Sequence, residues 1–205
     1  WEAEMELNAQ AKNYDELFDT FRWNVTARYN MARECCGRWA EERSRFALYY
    51  EDEAGATSAW TFWDIQTAAN RLSNVLHALG VQRRDRVAIV LPQRPETGIA
   101  HIACYQMDAI ALPLSHLFGP DALDVRLRDA EVRVVLGEGE PLARIAELGL
   151  DVPLIDVDRD LERLLGDASP SFEPAATTPD TPALLVYTSG TTGPPKGALH
   201  GHRVL

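Results

Sequence analysis

Two adjoining stretches constrain this chain more than any other feature. Ile65, Ala68, Ala69, Leu72, Val75, Leu76 and Leu79 recur at three- and four-residue steps, the stripe that one buried helix face requires. RVAIVLP then follows as an unbroken β-branched run, which suits a strand covered on both faces. Thr61 and Asp64 supply a capping-box pattern at the start of the helix, and Gly80 stands at its C′ position. A helix feeding a doubly buried strand points to a layered α/β fold.

The alternation continues downstream. Pro95 opens a second helix that runs to about Ala109, and Ile110–Leu114 reads as a strand. Asp121–Asp129 has a helical pattern, Val132–Leu136 that of a strand, Pro141–Leu148 a helix and Val152–Val157 a strand. Strands separated by helix-length stretches imply βαβ crossovers, hence a mainly parallel sheet with flanking helices. Upstream, Arg45–Tyr50 and Ser58–Phe62 flank a turn-forming EDEAGAT and predict a hairpin. Residues 1–45 read as an irregular lead-in followed by one helix near Tyr29–Glu42. Gly166–Pro182 carries prolines at 170, 174, 179 and 182 and reads as a surface linker, after which ALLVY forms a last buried strand.

Composition narrows the function classes. At 205 residues, 46% hydrophobic and 25% charged, the chain is neither disordered nor a disulfide scaffold. A net charge of −11 argues against nucleic acid or an anionic membrane as a charge-held partner. No run approaches the roughly 20 apolar residues that span a bilayer, and the acidic first residues contain no secretory h-region. Cys35, Cys36 and Cys104 form neither a disulfide framework nor a ligand spacing, so they read as reduced thiols of a cytoplasmic protein.

The chemistry is concentrated after the last strand, in Tyr187-Thr188-Ser189-Gly190-Thr191-Thr192-Gly193-Pro194-Pro195-Lys196-Gly197. Glycines permit positive φ and close backbone approach, and four hydroxyls offer donors. Successive backbone N–H groups in such a turn make an anion-binding nest, so phosphate is the natural ligand. Two prolines stiffen one end and lower the ordering cost of binding. Lys196 is one of two lysines, with Lys12, among 20 basic residues, which suggests that a flexible point charge is wanted there. Thr181–Leu205 contains no Asp or Glu, so the acidic excess lies wholly upstream. A Walker A loop is excluded: counting from Gly190, its second Gly falls on Pro195 and its hydroxyl on Gly197.

YTSGTTGPPKG resembles the phosphate-binding signature of the adenylate-forming (AMP-dependent synthetase/ligase) superfamily. FRWNVTARYNMARECCGRWAEE is similar to the lead-in of the acetyl-CoA and medium-chain acyl-CoA synthetases. TFWDIQTAANRLSNVLHALGVQRRDRVAIVLPQRPE resembles the helix–strand unit before the family's first parallel strands, and GALHGHRVL continues the signature with His202 where the family commonly opens its next helix. The resemblance implies ATP-dependent activation of a carboxylic acid, fatty or short- to medium-chain, to an acyl-adenylate, then thioester formation with CoA. It implies Mg²⁺ accompanying ATP. It assigns Thr188, Ser189, Gly190, Thr191, Thr192, Gly193 and Lys196 to the ATP phosphates.

On the same grounds, residues 46–205 form an incomplete N-terminal portion of the large AMP-binding domain, ending after the phosphate loop, with the small C-terminal domain absent. The segment alone is then expected to form no thioester, and its sheet to leave an exposed apolar edge. No catalytic residue and no metal ligand is assigned within the chain. Two alternatives stand beside this reading: an amino-acid adenylation domain loading a carrier protein, and a non-catalytic truncated remnant.

Other residues carry weaker signals. His77 and His101 lie within helices and read as packing or surface positions. His116 follows a strand end, a better place for function, but has no partner in the sequence. His200 and His202, two apart, have poor spacing for a metal and no third ligand nearby. Trp60, Phe62 and Trp63 read as core or hairpin contacts.

Overall fold

A computed structural model describes residues 12–21, 25–188 and 193–204. The helix expected from the apolar stripe is α3, Phe62–Ala78; α1 and α2 precede it at Tyr14–Thr20 and Met31–Cys35. Asp64 N–H donates to Thr61 Oγ1 at 3.1 Å and Thr61 N–H to Asp64 Oδ2 at 2.9 Å, completing the capping box. Gly80 takes φ +86°, the left-handed conformation that lets the chain leave the helix at once. Ile65, Ala69, Leu72, Val75 and Leu76 are buried, the stripe read from their spacing.

The antiparallel hairpin β1 (Phe46–Glu51) and β2 (Thr57–Thr61) packs beside this helix. The main sheet contains β3 (Arg86–Val90), β4 (Ile110–Pro113), β5 (Val132–Gly137), β6 (Leu154–Asp156), β7 (Pro182–Thr188) and β8 (Lys196–Gly201). Their order is β6-β5-β3-β4-β7-β8, parallel throughout except for β8, which runs antiparallel to β7. The intervening helices are α4 (Pro95–Gln106), α5 (Pro120–Asp129), α6 (Gly139–Glu147) and α7 (Leu161–Asp167).

The unbroken apolar run of β3 serves two cores at once. Val87 and Ile89 join α3 and α4 on one face, while Ala88 and Val90 join Leu123 and Leu127 of α5 on the other. Alternate residues of a strand point to opposite faces, so a strand covered twice has no polar phase.

Several local expectations are corrected. The helix expected over Tyr29–Glu42 is α2 plus a 3-10 turn at Gly37–Trp39, because Cys36 breaks the helix at φ −133°, ψ −57°. The short helix α1 lies in the lead-in read as irregular and buries nothing among its residues; α7, between the strand read at Val152–Val157 and the Pro-rich segment, buries only Leu161. The Pro-rich segment is not a free linker. Arg71 Nη1 of α3 donates to Leu165 O at 2.8 Å and Ala168 O at 2.5 Å. Asn70 takes Pro170 O at 2.9 Å, and Asn74 takes Ser169 O and Ser171 O at 3.0 Å. Polar side chains of α3 thereby strap the segment down.

A 3-10 helix opens at His202, directly after an edge strand. Lys196–Gly201 is that strand, β8, and the 3-10 helix spans His202–Val204. Gly201 is required there: a Cβ would lie 2.6 Å from Pro179 O. Leu199 on this edge strand is 56% exposed. Among the described residues no helix is long and apolar enough to cross a membrane.

Candidate functional site

The phosphate-type motif closes the β7–β8 hairpin. Thr188 pairs with Lys196 at its mouth, and the register runs back without interruption through Tyr187↔Gly197, Val186↔Ala198, Leu185↔Leu199 and Leu184↔His200. Ser189, Gly190, Thr191 and Thr192 lie outside the described residues. Of the expected site residues, Thr188 and Lys196 are brought together. Thr188, Gly193 and Lys196 are exposed, and Gly193 takes φ +100°, which a side chain would strain. Lys196 makes no ion pair among the described residues, whereas Arg203, in the same acid-free segment, is paired with Asp180.

The hairpin has supports that its sequence does not advertise. Tyr187 Oη donates to Asp129 at the end of α5, and burial together with that carboxylate pushes the phenol pKa up. Arg126 stacks over Phe118 at 4.4 Å and reaches the Tyr187 ring at 5.9 Å. Gly197 lets Tyr187 and Leu185 lie across β8: a Cβ there would meet Leu185 Cδ1 at 3.0 Å. At the foot, His202 is fully buried and its Nδ1 accepts the Met31 N–H at 3.0 Å.

A concave feature lies at the carboxyl ends of β3 and β4, where ligands of open α/β sheets bind. It is a crevice of about 480 Å³ between Leu91–Gln93, the first turns of α4 and Pro113–His116, with His101 and His116 on its wall. Burial holds the His101 imidazole down to about 4, so it stays neutral, and its Nδ1 lies 2.8 Å from Tyr105 Oη. Beside the crevice, Arg94, just beyond β3, reaches across to the segments that follow β5 and β6. This guanidinium binds Glu96 at 2.7 Å, Asp158 at 2.8 Å and Glu138 in a shorter contact.

Other sequence candidates resolve into packing. His77 is exposed on α3, and Trp63 lies under the Arg43 guanidinium at 4.2 Å, while Trp60 and Phe62 pack against the core. His200 is on β8 and His202 points into the core, and no cluster of three or more His, Cys, Asp or Glu able to hold a metal occurs among the described residues. Burial pushes the Cys36 and Cys104 thiols up to about 12, which leaves them unreactive.

The model of the AMP-binding enzyme family matches residues 37–205. The chain belongs to this family. Its curated relatives include an acetyl-coenzyme A synthetase of Streptomyces coelicolor, 32% identical over 207 residues, covering 87% of this chain and 32% of that protein. The acetyl-coenzyme A synthetase of Methanothrix thermoacetophila is 31% identical over 88% of this chain. The chain thus spans about a third of the length of the curated relatives it matches. Among solved structures, an acyl-CoA synthetase of Brucella canis superposes with a TM-score of 0.80 at 25% identity, over 97% of this chain and 38% of that one. VinN, solved in complex with 3-methylaspartate, superposes with a TM-score of 0.72 at 26% identity, over 86% of this chain and 49% of its own.

Proposed function

We propose that this chain is part of an AMP-forming acid–thiol ligase, and that its β7–β8 loop holds the phosphates of ATP. The parent enzyme activates a carboxylic acid, fatty or short- to medium-chain, to an acyl-adenylate with release of pyrophosphate, and then forms the thioester with CoA. The observation that carries this is Lys196: an exposed cation without an ion pair among the described residues, at the mouth of a glycine-bearing hairpin loop in a segment without carboxylates.

Attack of the acid on the α-phosphate sends negative charge onto the departing pyrophosphate. Groups that meet that charge, already oriented, lower the barrier without reorganising. Lys196 supplies a mobile positive charge, and Thr188 supplies a hydroxyl and the end of a rigid strand. Ser189, Gly190, Thr191, Thr192 and Gly193 complete the donor set by the family's pattern. Mg²⁺, carried by the nucleotide, supplies further charge neutralisation when bound. The role of this loop is positioning and charge, not proton transfer.

Residues 46–205 are then part of a larger AMP-binding domain with residues 1–45 as its lead-in, and these 205 residues alone form no thioester. The crevice beside His101 and His116 is suited by place and size to part of the organic substrate. In the natural polypeptide that carries these residues, Lys196→Ala should depress ATP–pyrophosphate exchange by about 10²-fold, the usual cost of one donor to a developing anion. An unchanged exchange rate refutes the role of Lys196, and thioester formation by the 205-residue chain refutes the assignment as a part.

A further inference from the structure

The hairpin that presents Thr188 and Lys196 is held at its far end by a side chain from its own foot. His202 follows β8 directly. Its main-chain N–H donates to Thr181 O at 3.0 Å, and the next N–H, of Arg203, to Pro179 O at 2.9 Å. The imidazole is fully buried, and its Nδ1 accepts the Met31 N–H across 171 residues of sequence. The ring stands edge-on to Tyr105, centroids 6.2 Å apart at 71°.

The residues around Met31 are tied as firmly. Tyr29 N–H donates to Thr177 O at 3.1 Å, and Thr177 Oγ1 returns to Tyr29 O at 2.6 Å. Asn30 Nδ2 reaches Tyr105 O at 3.1 Å and Ala175 O at 3.3 Å. Met31 itself is fully buried in the core shared by α3 and α4. The anchor that His202 grips is therefore fixed to α4, to the Pro-rich strap and to the core at once.

His202 occupies this position at a cost. With Nδ1 accepting, the neutral ring carries its proton on Nε2, and that nitrogen is buried without a hydrogen-bond partner. An unmade buried hydrogen bond is a penalty that an apolar ring would avoid. What the imidazole provides in return is one acceptor aimed at the lead-in.

We propose that His202 is a positioning residue for the phosphate site: its Nδ1 bond to Met31 fixes the angle at which the β7–β8 hairpin leaves the core, and hence where Thr188 and Lys196 stand. From Gly201 to Lys196 the strand rises about 17 Å, so a tilt of about 3° at the foot moves the mouth of the loop by about 1 Å. Displacements of that size are enough to spoil catalytic geometry. The inference rests on the reading of Thr188 and Lys196 as phosphate-binding groups.

The test uses the natural polypeptide that carries these residues, with Mg·ATP as the probe, titrated by ³¹P NMR at a temperature where urea unfolding shows each variant folded. His202→Phe keeps a ring and removes the acceptor, whereas His202→Asn keeps an acceptor near the place of Nδ1. Met31→Pro removes the donor N–H at the first helical position, where proline is tolerated, together with the buried side chain, and Met31→Ala controls for that side chain. We expect His202→Phe to weaken Mg·ATP about three- to tenfold relative to His202→Asn, and Met31→Pro to do the same relative to Met31→Ala. Should His202→Phe fail to fold, the Met31 pair decides. Equal affinities within each pair, with Lys196→Ala still weakening binding, overturn the positioning role and leave the phosphate reading standing. No binding by the parent chain, or binding unchanged by Lys196→Ala, overturns the phosphate reading and this inference with it.

Discussion

Two imidazoles held neutral against Tyr105 make the stability of this chain depend on pH well above the carboxylate range. His101 and His202 both pack on the Tyr105 ring, with centroids at 5.5 and 6.2 Å. Burial lowers each to about 4; at His202 the nearby Asp108 opposes the shift and Arg84 adds to it. In the unfolded chain both return to the ordinary value near 6.5. A histidine depressed on folding contributes its full stability above 6.5 and loses it as pH falls from 6.5 toward 4, because only the unfolded state takes up the proton. Between pH 7 and pH 5 the loss is about 2 kcal/mol for each histidine, or about 4 kcal/mol together. That is a large fraction of the roughly 5–15 kcal/mol that holds a typical domain. Unperturbed carboxylates, near 4, contribute little in this window. Urea unfolding at half-unit steps from pH 7 to 5 measures the slope, and His202→Asn and His101→Gln should each remove about half of it. A flat profile, or a slope untouched by both substitutions, refutes the burial argument.

The polar core between α3 and α4 should be as sensitive. Gln106 Nε2 donates to Ser73 Oγ at 2.7 Å with both residues fully buried, so Ser73→Ala should cost about 1–3 kcal/mol by orphaning that amide; adding Gln106→Leu should recover part of the loss in a double-mutant cycle by urea unfolding. Arg94→Ala leaves Glu96, Glu138 and Asp158 facing one another. It should lower stability by about 2 kcal/mol in denaturant titration, with Arg94→Lys rescuing poorly because one ammonium cannot serve three carboxylates with a fork's geometry.

The elements legible in the sequence are those whose own residues determine them. The α3 stripe, its capping box and Gly80 are local signals, and the β3 run is unbroken because Val87 and Ala88 face different cores. The elements that were not legible are imposed from a distance. Lys196–Gly201 has two glycines and little β-propensity, and it is a strand because β7 offers an open edge. The Pro-rich strap is held by Arg71, Asn70 and Asn74, residues about 95 to 100 positions upstream. The same division runs through the candidate site. Phosphate chemistry selects glycine, hydroxyl and lysine side by side, so the loop announces itself. Nothing near His202 in sequence reveals Met31 as its partner.

The fold also sharpens what the acid-free segment means. Of its two cations, Arg203 is taken by Asp180, just upstream of the segment, and Lys196 has no ion pair among the described residues. Asp129, which reaches the hairpin from the end of α5, is occupied by the Tyr187 hydroxyl. The hairpin therefore presents one available charge, at its mouth, rather than a diffuse basic patch. If so, the two cations are not interchangeable. Arg203→Ala, which removes an exposed pair of small worth, should leave the Mg·ATP affinity of the natural polypeptide within about twofold, while Lys196→Ala weakens it about tenfold or more. Salt should separate them further, since a solvent-exposed attraction centred on Lys196 fades as ionic strength rises and the Arg203→Ala profile should overlay that of the parent. Equal losses from the two substitutions would mean that the segment acts through its net charge, and the assignment of Lys196 as the phosphate cation would fall.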